Sequence, residues 1–195
     1  MSLDSTRKDV SRLRAEFARE PRGKALHLAQ RLSWYSMQLA LDNQQAESEA
    51  TWLEALAVAE HVLTDPGPSQ FERTELIRIG VGTARCMVEA GRAEEALDVL
   101  AKAEQQYQLL AAAATNPTTV LALRGAILTG RADAHRALGN ADVELDALCE
   151  AVLELVSGSD TNPLIVRSIL QPPLRELHRL LSSGGATRHA VPRDH

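Results

Sequence analysis

Apolar side chains recur along most of the chain at the spacing of one face of an α-helix. Between residues 93 and 111 they stand three or four residues apart, at Ala93, Ala96, Leu97, Leu100, Ala103, Tyr107, Leu110 and Ala111. Such steps place side chains on one stripe of a helix. Alternating runs of β-branched residues bounded by turn residues are almost absent from the sequence. The pattern therefore predicts an all-α fold.

Residues that break or cap helices divide this pattern into about eight segments. The segment 64–70 contains Pro and Gly, Ser69 followed by Glu72 forms a capping box, and Gly91 and Gly139 are suited to helix C-caps. The predicted helices span residues 4–19, 22–41, 45–63, 69–90, 93–112, 117–138, 141–157 and 161–182. We expect residues 184–195 to form a disordered tail.

The breaks recur at a fixed interval. Gly91 and Gly139 are 48 residues apart, and Asn43, a residue type that also accepts a left-handed conformation, lies 48 residues before Gly91. The same interval relates small and bulky residues, namely Ser36, Ala84 and Ala132; Trp52, Leu100 and Leu148; and Ala55, Ala103 and Ala151. We predict three repeated helix–turn–helix units, at about residues 29–76, 77–124 and 125–172. The alternative is an irregular helical bundle in which the matching glycines are accidental.

The second unit resembles the tetratricopeptide repeat, a helix–turn–helix unit of about 34 residues. Its segment "ARCMVEAGRAEEALDVLAKAE" places Ala84 at the small position of the first helix. Ala96, Leu100 and Ala103 match the alanine, bulky and alanine positions of the second helix. The resemblance implies a helical-hairpin solenoid, with terminal helices capping the stack.

Two features depart from that family. The third unit has Glu144 where an alanine is expected, and the first unit has Ser48 there. The period of 48 residues makes each helix about two turns longer than in the family, so the chain resembles a divergent, long-helix relative. The resemblance covers residues 29–172 and predicts one repeat domain over residues 1–183.

The resemblance also implies a binding surface, because the first helix of each unit lines the concave face in that family. Carried over by position, this face consists of Gln30, Ser33, Met37, Arg78, Arg85, Glu89, Thr129, Asp133 and Arg136. We expect it to bind another protein or peptide as an extended segment with a carboxylate that pairs with Arg78 or Arg85. An ordinary solvated helix face is the alternative.

Composition limits the classes of partner and the compartment. The net charge of −5 argues against non-specific nucleic-acid binding, which needs a basic face. No window holds the ~18 apolar residues of a membrane span, and the first residues lack the apolar region of a signal peptide. We therefore expect a cytoplasmic protein, with Cys86 and Cys149 as buried, reduced thiols rather than a disulfide.

Candidate chemistry is sparse. None of the six histidines has zinc-site spacing, and "RIGVGTAR" at 78–85 lies inside a helical pattern, where its glycines favour close helix packing over phosphate binding. We expect no metal, no cofactor and no catalysis, and predict a protein–protein interaction scaffold. One alternative is a regulatory domain that senses a peptide or small molecule in the same groove. Another is an all-helical enzyme, which requires a buried, convergent cluster of ionisable residues.

The last predicted helix, residues 161–182, is too apolar for a purely solvated cap and contains Pro172 and Pro173, which should kink or split it. We expect this helix to pack on the third unit. Its remaining apolar edge makes a homodimer through the C-terminal helix plausible.

Overall fold

The ordered elements are helical throughout the part of the chain that the computed structural model describes, which is residues 2–64, 67–113, 117–157, 171 and 173–182. The helices are α1 (Leu3–Arg19), α2 (Pro21–Leu41), α3 (Gln45–Glu60), α4 (Gln70–Glu89), α5 (Ala93–Ala111), α6 (Pro117–Ala137) and α7 (Ala141–Ser157). A 3-10 turn, His61–Leu63, follows α3, and residues 173–182 form a further helix, α8. Within these residues there is no strand, so the all-α prediction is confirmed.

The predicted helix limits agree with these bounds to within one residue at each end for α1, α2 and α4 to α7. Helix α3 ends at Glu60, earlier than predicted, because its last turn tightens into the 3-10 turn. The predicted capping box is present: the Ser69 hydroxyl accepts the Glu72 N–H, and the Glu72 carboxylate accepts the Ser69 N–H. Residues 161–170 and the predicted tail at 184–195 lie outside the described residues.

Three tight corners join the helices into antiparallel hairpins. Asn43, Gly91 and Gly139 have φ angles of 59°, 78° and 75°, so the left-handed conformation predicted at all three positions is confirmed. In each corner the next residue donates its N–H to the carbonyl five residues back, in the pairs Gln44 to Leu39 (2.9 Å), Arg92 to Met87 (2.8 Å) and Asn140 to His135 (2.9 Å). These bonds satisfy carbonyls that a helix end otherwise leaves unpaired.

The hairpins are α2–α3, α4–α5 and α6–α7, and we call them the first, second and third hairpin. The predicted unit limits at residues 76 and 124 fall inside α4 and α6. The helices therefore pair as complete hairpins, each centred on its corner rather than bounded at those limits.

The chain divides into two compact units, Met1–Thr115 and Asn116–His195. In the first, α1 packs on α2, and α4 packs on both α2 and α3. Its core holds Val10, Leu13, Ala25, Leu28, Ala29, Leu32, Tyr35, Leu39, Ala55, Val58, Ala59, Val62, Leu76 and Ile79. In the second unit, Leu177 and Leu180 of α8 pack against Ala132, Ala147 and Leu148 of the third hairpin. The C-terminal helix thus packs on the third hairpin, as predicted.

The recurring positions are buried in every hairpin. The bulky set Trp52, Leu100 and Leu148 and the alanine set Ala55, Ala103 and Ala151 all lie in the interior. In the first hairpin the Ser36 hydroxyl lies 2.7 Å from the Ser48 carbonyl, and the Ser48 hydroxyl lies 2.9 Å from the Ser36 carbonyl. Small side chains at this seam allow the two helices to approach closely.

The glycines of "RIGVGTAR" lie at close helix contacts, as predicted. A Cβ atom on Gly82 would lie 2.5 Å from Cη2 of Trp52, so the indole ring occupies the space that a side chain would need. A Cβ atom on Gly80 would lie 3.3 Å from the Cβ atom of Ala103. Glycine therefore sets how closely α4 approaches α3 and α5.

Candidate partner-binding face

Helices α2 and α4 of the first unit bring two predicted face residues together at a third residue. Gln30 Nε2 donates to Glu75 Oε2 at 3.0 Å, and Arg78 Nη1 donates to Glu75 Oε1 at 2.6 Å. The carboxylate of Glu75 is nearly buried, whereas Arg78 keeps more than half of its side chain exposed. Sequence reasoning missed Glu75, although its position three residues before Arg78 is a signal for an ion pair on one helix.

A second acidic residue of α4 connects the same two helices through an ion pair. Arg22 Nη1 lies 2.9 Å from Glu72 Oε1. The hydrogen bond from Arg22, followed by that from the Ser69 backbone N–H, lowers the pKa of Glu72 to about 2. The first turn of α4 is therefore anchored to α2 by a carboxylate that stays ionised well into the acid range.

The outer face of α2 carries an apolar stripe. Trp34, Met37 and Leu41 are spaced three and four residues apart and are 48%, 49% and 85% exposed. That spacing places them on one side of the helix. Met37 was predicted as a face residue, whereas Trp34 and Leu41 were not. Ser33, four residues before Met37, borders the same side of the helix but is half-buried, and its hydroxyl donates to the Ala29 carbonyl at 2.9 Å.

The equivalent face of α4 is charged. Arg85 Nε donates to Glu89 Oε1 at 3.1 Å, and both side chains are largely exposed. An exposed pair four residues apart on a helix contributes little stability. Arg85 can therefore exchange this carboxylate for one on a partner at small cost.

The other three predicted face residues belong to the second compact unit. Thr129 Oγ1 donates to the Gly125 carbonyl at 2.8 Å. Arg136 Nη1 lies 3.2 Å from Asp133 Oδ1, so these two predicted residues form an ion pair.

Arg136 also belongs to a charge cluster around one buried carboxylate that sequence reasoning did not find. The side chain of Glu144 is 4% exposed, and its Oε1 accepts from Arg136 Nε at 2.7 Å and from Arg179 Nη2 at 3.0 Å. Glu176 of α8 contacts both arginines, with 2.7 Å from its Oε2 to Arg179 Nε and 3.1 Å to Arg136 Nη2. The hydrogen bond from Arg179 and the charge of Arg136 lower the pKa of Glu176. The sequence carried one signal of this cluster, because Glu144 stands at a repeat position where alanine is expected.

A groove of about 410 Å³ lies between α3, α4 and α5 in the first unit. Its walls are mainly apolar and include Leu56, Ala59, Leu63, Leu76, Val99 and Ala103. Lys102 Nζ and Glu60 Oε1 pair at 3.2 Å beside it. The volume falls in the usual range for small-molecule sites, roughly 300–1,000 Å³.

No protein-family model, curated protein or solved structure matches this chain. Within the described part of the chain, no group of three or more histidine, cysteine or acidic residues is placed to hold a metal ion. Cys86 and Cys149 are free; Cys86 is buried, as predicted, and burial raises its pKa, whereas Cys149 is only partly buried. None of the helices in the described ranges is long and apolar enough to cross a membrane.

Proposed function

We propose that the chain is a cytoplasmic, tetratricopeptide-like helical repeat that acts as a non-catalytic protein interaction module. Helices α2 and α4 of the first unit form the binding face and hold a partner segment that carries a carboxylate. Three corners with one hydrogen-bond pattern, spaced 48 residues apart, support the repeat.

The observation that carries the proposal is the stripe Trp34–Met37–Leu41 on the first helix of the first hairpin. Exposed aromatic and methionine side chains are enriched at protein interfaces. On α4, the exposed guanidinium groups of Arg78 and Arg85 provide the charge for a partner carboxylate.

The test is capture of partners from the native host by the tagged chain, followed by mass spectrometry. We expect Trp34→Ala with Met37→Ala, and separately Arg78→Ala with Arg85→Ala, to abolish capture of the same partner. Stability should change little, because these side chains are about half exposed or more.

Two variants serve as matched controls. Arg12→Ala on α1 removes an arginine as exposed as Arg78 that also pairs with acidic residues of its own helix. Leu153→Ala removes an exposed apolar residue from α7. Unchanged capture by both stripe and arginine variants would refute the proposed face.

A ligand-sensing regulator is the second candidate, and the groove between α3 and α5 favours it. An apolar ligand that binds only the folded chain raises its melting temperature. Leu56→Trp, which places a larger ring in the groove, should abolish that rise. A panel of apolar ligands without any thermal shift would remove this candidate.

Self-association through α8 is a further part of the proposal. Leu174 and Leu181 lie seven residues apart and are exposed on this helix. We expect light scattering to give a dimer mass at high concentration and a monomer mass for Leu181→Lys. A monomer mass for the unaltered chain would exclude this contact.

A further inference from the structure

Glu144 occupies the seam position at which the first and second hairpins have Ser48 and Ala96. Its side chain is almost completely buried. A buried carboxylate is costly unless cations and hydrogen bonds compensate its charge. The third hairpin therefore has a requirement for positive charge that the other two lack.

Arg136 of the same hairpin meets part of that requirement, and Arg179 of α8 meets the rest. The face under α8 thus combines an anionic group, a cationic group and an apolar surface. The apolar surface consists of Ala132, Ala147 and Leu148. Such a face is complementary to a helix with a defined order of charges rather than to any apolar helix.

The sequence of α8 supplies that order within five residues, "ELHRL" at 176–180. Glu176 contacts Arg136, and Arg179 contacts Glu144. Leu177 and Leu180 pack on the apolar surface. The acid and the arginine are three residues apart, as are the two leucines, so each pair lies on one side of the helix.

We propose that the face of the third hairpin around Glu144 and Arg136 is a binding site for a helix with the pattern acid–Leu–x–Arg–Leu, and that α8 is its displaceable occupant within the chain. This inference rests on the proposed function as an interaction module. It adds a second surface, specifies the partner chemistry and makes α8 a competitor that regulates access.

The experiment uses the full-length chain and a fluorescein-labelled synthetic peptide, QPPLRELHRLLSS, which is the sequence of residues 171–183. The wild-type chain should bind the peptide weakly, because α8 already fills the site. Only the fraction of molecules in which α8 is displaced can bind the peptide. Leu177→Ser with Leu180→Ser in the chain loosens α8. We expect this variant to bind the peptide at least about tenfold more tightly than wild type.

The matched control is a peptide in which Glu176 and Arg179 are exchanged. It has the same composition and the same leucines, but it places like charges against Arg136 and Glu144. We expect it to bind the Leu177→Ser/Leu180→Ser chain at least about tenfold more weakly than the native peptide, since the hydrogen bond to Glu144 and the ion pair with Arg136 are lost. Equal affinity of the two peptides, or equal affinity of the native peptide for both chains, would overturn the proposal.

If circular dichroism shows that the leucine variant is unfolded, Glu176→Ala with Arg179→Ala in the chain replaces it. This variant keeps the leucines and removes only the charges of α8. It must still bind the native peptide more tightly than wild type does. The variant Arg78→Ala with Arg85→Ala changes only the binding face on α2 and α4, so we expect it to bind the peptide as wild type does. A failed prediction at one surface can therefore be distinguished from a failed prediction at the other.

Discussion

The seam of the first hairpin and the seam of the third hairpin bring two helices together with different chemistry. Ser36 and Ser48 satisfy each other's hydroxyl and carbonyl groups, and both are fully buried. The third hairpin has Ala132 and Glu144 at the equivalent positions, and one of the hydrogen bonds to Glu144 comes from α8. The first seam is therefore complete within its hairpin, whereas the third is complete only when another helix contributes an arginine.

The largest effect is expected when the second hairpin receives the acid of the third. Ala96→Glu buries a carboxylate at a seam that has Val88 at the position equivalent to Arg136. We expect a loss of about 3–5 kcal/mol in the free energy of unfolding, the cost of an uncompensated buried charge. Chemical denaturation measures it.

The matched rescue adds Val88→Arg, because Val88 stands 48 residues before Arg136. The double variant should recover part of the lost stability. If Ala96→Glu alone is as stable as wild type, position 96 does not lie in a closed seam.

Removing the partner of Glu144 is expected to have the next largest effect. Arg136→Met leaves Arg179 to compensate the buried carboxylate alone and should cost about 3 kcal/mol. Adding Glu144→Ala gives the third hairpin the alanine of the second and should restore stability to within ~1 kcal/mol of wild type. Thermal and chemical denaturation of both variants test this asymmetry. A double variant less stable than Arg136→Met contradicts it.

The serine seam should show the same asymmetry on a smaller scale. Ser48→Ala removes the Ser48 hydroxyl, which bonds to the Ser36 carbonyl and contacts the Ser36 hydroxyl, while the Ser36 hydroxyl keeps its bond to the Ser48 carbonyl; the loss should be about 1 kcal/mol. Ser36→Ala with Ser48→Ala reproduces the alanine pair of the second hairpin. It should be nearly as stable as wild type, because no buried polar group is left unpaired. Additive losses in the double variant would show that the hydroxyls do not act as a pair.

The smallest effect is expected for the ion pair between Glu72 of α4 and Arg22 of α2. Like the ion pair between Arg136 of α6 and Glu176 of α8, it connects two helices. The pKa of Glu72 in the folded chain is about 2, below its ordinary value of 4.5. The ionised form stabilises the fold fully above pH 4.5, and this contribution is lost as the pH falls towards 2. Glu72→Gln should cost about 1 kcal/mol at pH 7 and flatten the pH dependence of stability over that interval. Unfolding titrations of both proteins between pH 7 and pH 2 provide the measurement, and an unchanged slope would contradict it.

The sequence predicted the local features of the fold well. Left-handed corners at Asn43, Gly91 and Gly139 depend on backbone sterics within a few residues, and so does the capping box at Ser69. The small residues of the seams were recognised because a fixed interval repeats them.

The features that were missed depend on distant or ambiguous signals. The ion pair between Glu144 and Arg179 joins residues 35 positions apart, and no periodic pattern in the sequence indicates it. Trp34 and Leu41 are apolar residues of the kind that fill cores, and only the packing of α1, α3 and α4 around α2 leaves them exposed. The pairing of Gln30 with Glu75 likewise depends on where α4 lies against α2.

The short corners have a consequence for how the chain folds. Ser36 and Ser48, which meet across the first seam, are only 12 residues apart. Closing so small a loop costs little chain entropy, and proteins dominated by such local contacts fold quickly. We therefore expect each hairpin to form first. The later docking of α8 onto the third hairpin should be the slower and more reversible step.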